Sequence, residues 1–132
     1  MAFTKQTGAA VDTAKFTKLA TATTLVYCDN TVNSGANPTA IAQFTSGNAA
    51  KALGTVNLTT GLGGASFAAA GRVLTITPPS TGIVLGTGTI GCIVIHDGTN
   101  ILHIDLPGTT ITGNSSATWN PAAYTITESD AA

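Results

Sequence analysis

Charge is what this chain has least of. Five Lys and Arg stand against six Asp and Glu in 132 residues, a charged fraction of 8%, where an average globular domain carries about 25%. That shortage argues against a nucleic-acid binder. The nearest thing to a basic cluster is Lys5, Lys15 and Lys18, and three ammonium groups neutralise too few phosphates to hold a duplex or a strand. With a formal net charge of −1, little Coulomb repulsion keeps neighbouring molecules apart. Such a surface suits a protein that packs against other subunits.

Long hydrophobic runs are missing as well. No stretch of about 18 apolar residues occurs, so no membrane-spanning helix is expected. The residues after Met1 read AFTKQTGAAVDTAKFTK, with polar breaks throughout, so no export signal is expected and the cytoplasm is the expected site of synthesis. Cysteine is limited to Cys28 and Cys92. Without an export signal they are expected as two reduced, buried thiols rather than a disulfide. Neither has the adjacent His or second Cys pair that a zinc site uses. Aromatics make up only 5% of the chain, with Trp119 the sole Trp.

What is present is Thr, Ser, Asn, Gly and Ala on a hydrophobic fraction of 43%. That fraction is ordinary, and it separates the chain from disordered sequences, which combine low hydrophobicity with high net charge. At this length one domain is expected, able to bury about two thirds of its unfolded surface.

Along the chain the pattern is mostly β. Leu25-Val26-Tyr27-Cys28 reads as a short apolar strand, closed by Asp29-Asn30 and the turn-rich Asn33-Ser34-Gly35-Ala36-Asn37-Pro38. Further strands are expected at Thr39–Thr45, Leu53–Leu58, Arg72–Thr77, Ile83–Leu85, Thr89–His96, Asn100–Leu106, Thr109–Thr112 and Ala123–Thr127. Short runs with Gly and Pro between them are the signature of a β-sandwich or jelly roll. The segment 1–22 is Thr-, Ala- and Lys-rich. Val11, Lys15, Lys18 and Leu19 fall at helical spacing, but the stripe is mixed, and an extended arm or first strand is the preferred reading. The fold expected is therefore all-β, a single domain over 23–132 with an extended N-terminal arm at 1–22.

The strongest local signal is Asp97-Gly98-Thr99-Asn100, a hairpin turn between two β-rich runs. A loop of two or of four residues gives the same side-chain parity. Ile93, Ile95, Leu102, Ile104 and Leu106 are then expected on one aliphatic core face. Val94, His96, Ile101, His103 and Asp105 share the other, as solvent or interface.

On that second face His96, His103 and Asp105 have the residue types of a two-His, one-carboxylate metal triad. A polar outer face accounts for them more simply, and no nucleophile is tied to them for acid–base work. Gly86-Thr87-Gly88-Thr89-Ile90-Gly91 matches the dinucleotide-binding glycine pattern letter for letter. The phosphate site requires a helix after it, and a strand-like run follows, so the glycines are read as a turn or bulge. Trp119, Tyr124 and Tyr27 could stack on sugars. A lone Trp beside Asn120-Pro121 is more simply a packing lid or an interface anchor. Asn57-Leu58-Thr59 and Asn114-Ser115-Ser116 match a glycosylation sequon by chance in a Thr-rich chain. No catalytic residue, cofactor site or metal site is assigned.

In texture the chain resembles the small virion proteins of tailed bacteriophages, in particular capsid cement (decoration) proteins with β-sandwich or jelly-roll bodies. The resemblance rests on the low-charge Thr/Gly/Ala background and on Phe67-Ala-Ala-Ala-Gly-Arg-Val-Leu-Thr-Ile-Thr, Gly91-Cys-Ile-Val-Ile-His-Asp-Gly, Asp105-Leu106, Ile111-Thr-Gly-Asn and the Thr-Ile-Thr of Thr125–Thr127. It covers about residues 50–127. It implies a non-enzymatic subunit that binds the major capsid protein and copies of itself as a dimer or trimer, located in the virion, with no nucleic-acid or membrane partner. Phe3, Val11, Phe16 and Leu19 on the arm, and Trp119 on a late loop, are the partner-binding residues expected. The alternatives are a tail, neck or head-fibre subunit, or a carbohydrate-binding module displayed on a virion.

Overall fold

In the computed structural model the described residues are 9–45, 47–58, 66–70, 73–77, 82–107, 110–120 and 124–127. They form one helix, α1 (Ala9–Leu19), and ten strands: β1 (Thr24–Asp29), β2 (Ala52–Asn57), β3 (Ser66–Ala70), β4 (Val73–Thr77), β5 (Ile83–Val84), β6 (Gly88–His96), β7 (Ile101–Asp105), β8 (Thr112–Gly113), β9 (Thr118–Trp119) and β10 (Tyr124–Thr127). All strand pairs are antiparallel. The protein is an all-β single domain.

The main sheet runs β2-β1-β6-β7, with β8 pairing the start of β6. A second sheet runs β10-β4-β3, and β5 and β9 form a short ribbon. Side chains alternate across a strand, and both faces of the main sheet are covered. On the first face Leu25, Tyr27, Ile93 and Ile95 join Ile76 of β4, Leu58 and Leu85 in one core cluster, with Ile83 and Trp119 packed against it. On the second face Val26, Cys28, Cys92 and Val94 join Val32 and Phe44. Burial on both sides explains why β1 and β6 are apolar at consecutive positions rather than alternate ones. It also corrects the expectation that the face carrying Val94 and His96 is solvent or an interface, since this chain's own Val32 and Phe44 cover it.

Residues 9–19 are helical, not extended. Ala9, Ala10 and Ala14 are strong helix formers, and a helix satisfies its own backbone bonds where a lone strand would need a sheet edge. Lys18 in the last turn complements the helix dipole. The segment is anchored at its C-terminal end: Leu19 and Ala22 are buried in the first-face core. The core therefore crosses the expected boundary between residues 22 and 23. Lys18 also reaches Asp97 at 3.4 Å.

Thr39–Thr45, expected as a strand, is instead part of an irregular cap over the second face. The cap contains short 3-10 turns at Val32–Gly35, Ile41–Gln43 and Ala49–Lys51. Gln43 decides its shape, because its Oε1 accepts from the backbone N–H of Thr39 at 2.6 Å and of Ala40 at 3.1 Å. Phe44, 1% exposed, then points down onto the sheet. Of the other expectations, the Asn100–Leu106 run is trimmed to β7, while β4 and β10 occupy the described parts of the Arg72–Thr77 and Ala123–Thr127 runs, Arg72 and Ala123 lying outside the described residues. Pro78, Pro79 and the Gly61–Gly64 loop lie outside the described residues.

The Asp97–Asn100 hairpin forms as expected. Asp97 Oδ1 accepts from the backbone N–H of Thr99 at 2.9 Å and Asn100 at 2.7 Å, and Gly98 takes φ +93°. The parity beyond it does not follow. His96 pairs with Ile101, but Ile95 pairs with His103, leaving Leu102 as an extra residue in a β-bulge. At His103, Ile104 and Asp105 every side chain is on the opposite face from the one expected.

Candidate functional site

The bulge dismantles the constellation that the hairpin face offered. His103 and Asp105 pair with Ile95 and Ile93 on the first face, while Ile104 pairs with Val94 and packs on the second-face cluster. His96 lies on the second face, so the two imidazoles are on opposite sides of the sheet. Among the described residues no three His, Cys, Asp or Glu lie close enough to hold a metal ion.

His96 is 8% exposed. Its ring centroid is 5.8 Å from that of Phe44, tilted by 42°, and its Nδ1 accepts the backbone N–H of Gly98 at 3.0 Å. Burial holds its pKa below the ordinary value, against the weaker pull of Asp97. Asp97 itself is held at about 2, chiefly by the backbone N–H groups of Asn100 and Thr99.

Beside His96 on the same face, Cys28 and Cys92 are direct partners across β1 and β6. Both are free thiols, 0% and 2% exposed. The alternation of β1 and of β6 could have placed each on a face, but only the register places them opposite one another. The two thiols interact directly across the strand pair. That contact and burial raise the Cys28 pKa, while the Cys28 hydrogen bond lowers that of Cys92. β1 is irregular at this point on both sides, with register shifts at Tyr27/Cys28 against β2 and at Cys28/Asp29 against β6.

The outer surface of the cap carries a polar cleft of about 250 Å³ lined by Thr31, Asn33, Ser34, Gln43, Asn48 and Lys51. Asn33 and Ser34 both take positive φ, 46° and 56°, a conformation that costs a side-chain-bearing residue of order 1 kcal/mol or more. Hydrogen bonds hold them in place: Asn33 Nδ2 donates to the Asn37 carbonyl at 2.7 Å and Gln43 Nε2 to Asn33 Oδ1 at 2.9 Å. Lys51 Nζ donates to Thr31 Oγ1 at 2.7 Å. The Thr31 hydroxyl donates in turn to Asp29, and this bond is the main reason the Asp29 pKa is lowered. The sequence showed this stretch only as turn formers. Side-chain amides and hydroxyls with a single ammonium can hydrogen-bond a neutral polar ligand.

Of the residues nominated for partner binding, Leu19 and Trp119 belong to the first-face core cluster, Trp119 packing at its margin. Val11 is exposed on α1 and Leu19 is buried. Phe3 lies outside the described residues, and Phe16 is placed on α1 only by its backbone. Trp119 is half-buried and meets Tyr27 edge-on, with centroids 5.0 Å apart at 82°, as a packing lid would. Burial pushes the Tyr27 hydroxyl up to about 12. Among the described residues, the large apolar side chains that remain exposed are Val11, Val84 and Leu106.

The Gly86–Gly91 pattern opens β6 and serves close packing. A Cβ on Gly91 would stand 2.5 Å from the Asn30 Cα, beside the bulge where β6 passes β1. A strand follows and no helix N-terminus is present there, so the phosphate-binding arrangement is not formed. Comparison with protein-family models, with curated proteins and with solved structures finds no match for this chain.

Proposed function

We propose that this protein is a non-enzymatic structural subunit of a bacteriophage virion, a cement protein that binds the major capsid protein and its own copies on the shell. The observation that carries the reading is the scarcity of charge, five basic and six acidic residues, on a rigid β body. A surface of small neutral polar groups packs against neighbours without desolvating ions. Two further features support it. Among the described residues β7 and β2 are edge strands of the main sheet, able to take a partner strand through main-chain hydrogen bonds. Val11, Val84 and Leu106 expose apolar surface. Many weak contacts repeated over a shell add through multivalency.

The test is reconstitution. Purified protein added to capsids lacking it should co-sediment with them and raise the temperature at which they open. Immunogold labelling should fall on the shell. Labelling of the tail or neck would move the reading to a tail, neck or head-fibre subunit, and unchanged particle stability would end the cement reading. The polar cleft favours one alternative, a virion-displayed carbohydrate-binding module, which a glycan array would reveal.

A further inference from the structure

We propose that Cys28 and Cys92 form an oxidisable dithiol that closes into a cross-strand disulfide between β1 and β6 when a peroxide reaches it. The geometry is already in place. Facing residues of an antiparallel pair have Cα atoms roughly 4.5–5.5 Å apart, inside the roughly 4.4–6.8 Å range of disulfides. Cys28 and Cys92 are such a pair. The register shifts on either side of Cys28 free the local backbone from an ideal ladder, which leaves latitude for the sulfurs to reach bonding distance. The surroundings of both thiols are apolar, since Val26, Val32, Phe44 and Val94 complete their cluster.

The chemistry balances with hydrogen peroxide as the named oxidant. The Cys92 thiolate attacks one peroxide oxygen, the O–O bond breaks, and the departing hydroxide takes a proton to become water. The Cys28 sulfur then attacks the Cys92 sulfenic acid, the S–S bond forms, and the hydroxyl leaves as a second water with the proton released by Cys28. Two thiols lose two electrons and the peroxide gains them. The downward direction of the Cys92 shift beside Cys28 supports that order.

Access is through the cap. The hydrogen bonds that shape residues 31–51 join its own residues, as in Phe44 N–H to Ile41, Asn48 N–H to Thr45 and Lys51 Nζ to Thr31. Its hold on the sheet is the apolar contact of Val32, Phe44 and Ile41, with polar bonds only at its root, where the Thr31 N–H and hydroxyl donate to Asp29 at the end of β1. A unit bonded mainly to itself can lift without unravelling the strands beneath it, and hydrogen peroxide needs only a small opening.

The experiment uses the full chain, purified under reducing conditions and then freed of reductant. After hydrogen peroxide treatment of the folded protein, the thiols titrated in denaturant should fall from two per chain to none. The mass should drop by two hydrogen atoms, and a peptide map should link the segments containing Cys28 and Cys92. A dithiol reductant should reverse all three. The oxidised form should melt higher by on the order of 10 °C, because the crosslink restrains a long loop of the unfolded chain. Cys92→Ala should form no intramolecular link. Two thiols surviving treatment, even with the cap loosened by mild denaturant, would overturn the proposal. So would oxidation that stops at sulfinic acids or links separate chains. The wild-type peptide map decides the matter without the variant.

Discussion

The imidazole of His96 is committed to its neutral form by what surrounds it. Nδ1 accepts from Gly98, so the ring proton resides on Nε2, and a second proton would set one N–H against another beside the Phe44 ring. The folded-state pKa is therefore depressed, while the unfolded chain titrates near 6.5. Between those two values the unfolded state binds more protons. Stability must then fall as pH drops below about 6.5, and the loss is complete below the folded pKa. Melting temperature measured between pH 8 and pH 4.5 should decline through this window, and His96→Gln should flatten the decline although it lowers the whole curve. A slope unchanged in the variant would place its origin elsewhere. Asp29 and Asp97 have the opposite reference. Their lowered pKa values give stability that is present above about 3.9 and is lost only as pH falls further. The two windows can be told apart on one titration.

At the scale of elements, the bulge at Leu102 decides which residues of β7 are core. Deleting Leu102 should leave the faces as they are, because Ile101 would still oppose His96 and His103 would still oppose Ile95, now in an unbroken ladder. The expected cost is the burial of one half-exposed leucine against the first-face core, about 1–2 kcal/mol, read by denaturant unfolding with the β circular-dichroism signal retained. Loss of the fold would show that the bulge, and not the pairing it interrupts, is required. The same bulge marks the limit of what the sequence could tell. The apolar run Cys92–Ile95 and the Asp97-Gly98 turn located the hairpin, but an unpaired residue leaves no mark on either pattern. The strands β1, β2, β4, β6 and β7 were legible because β-branched and aliphatic residues sit between turn formers. The helix was not, because Leu19, which anchors it in the first-face core, is at the end of a mixed stripe. The cap was not either: Ile41 and Phe44 resemble a poor strand until Gln43 is seen bonding back to Thr39 and Ala40. Of the site, burial of Cys28 and Cys92 could be expected from their strands, whereas their apposition depends on a register between distant segments.

For the molecule as a whole, that register has a kinetic meaning. β1 lies between β2 and β6, so one side of the central strand is completed only by residues 88–96, from the far half of the chain. Closing so long a loop costs entropy before any contact rewards it, and topologies dominated by such pairings fold in roughly milliseconds to seconds rather than microseconds. Stopped-flow refolding followed through Trp119, whose edge contact with Tyr27 joins the β5–β9 ribbon to β1, should report in that range, and a microsecond relaxation would contradict it. During synthesis the consequence is sharper. β1 and β2 leave the ribosome as a bare hairpin with two apolar faces, and they wait several seconds, at about 5–20 residues per second, for the strand that will cover their open edge. A nascent chain of this design spends that interval as a sticky two-stranded ribbon, and its need for a chaperone would be greatest then and gone once residue 96 has emerged.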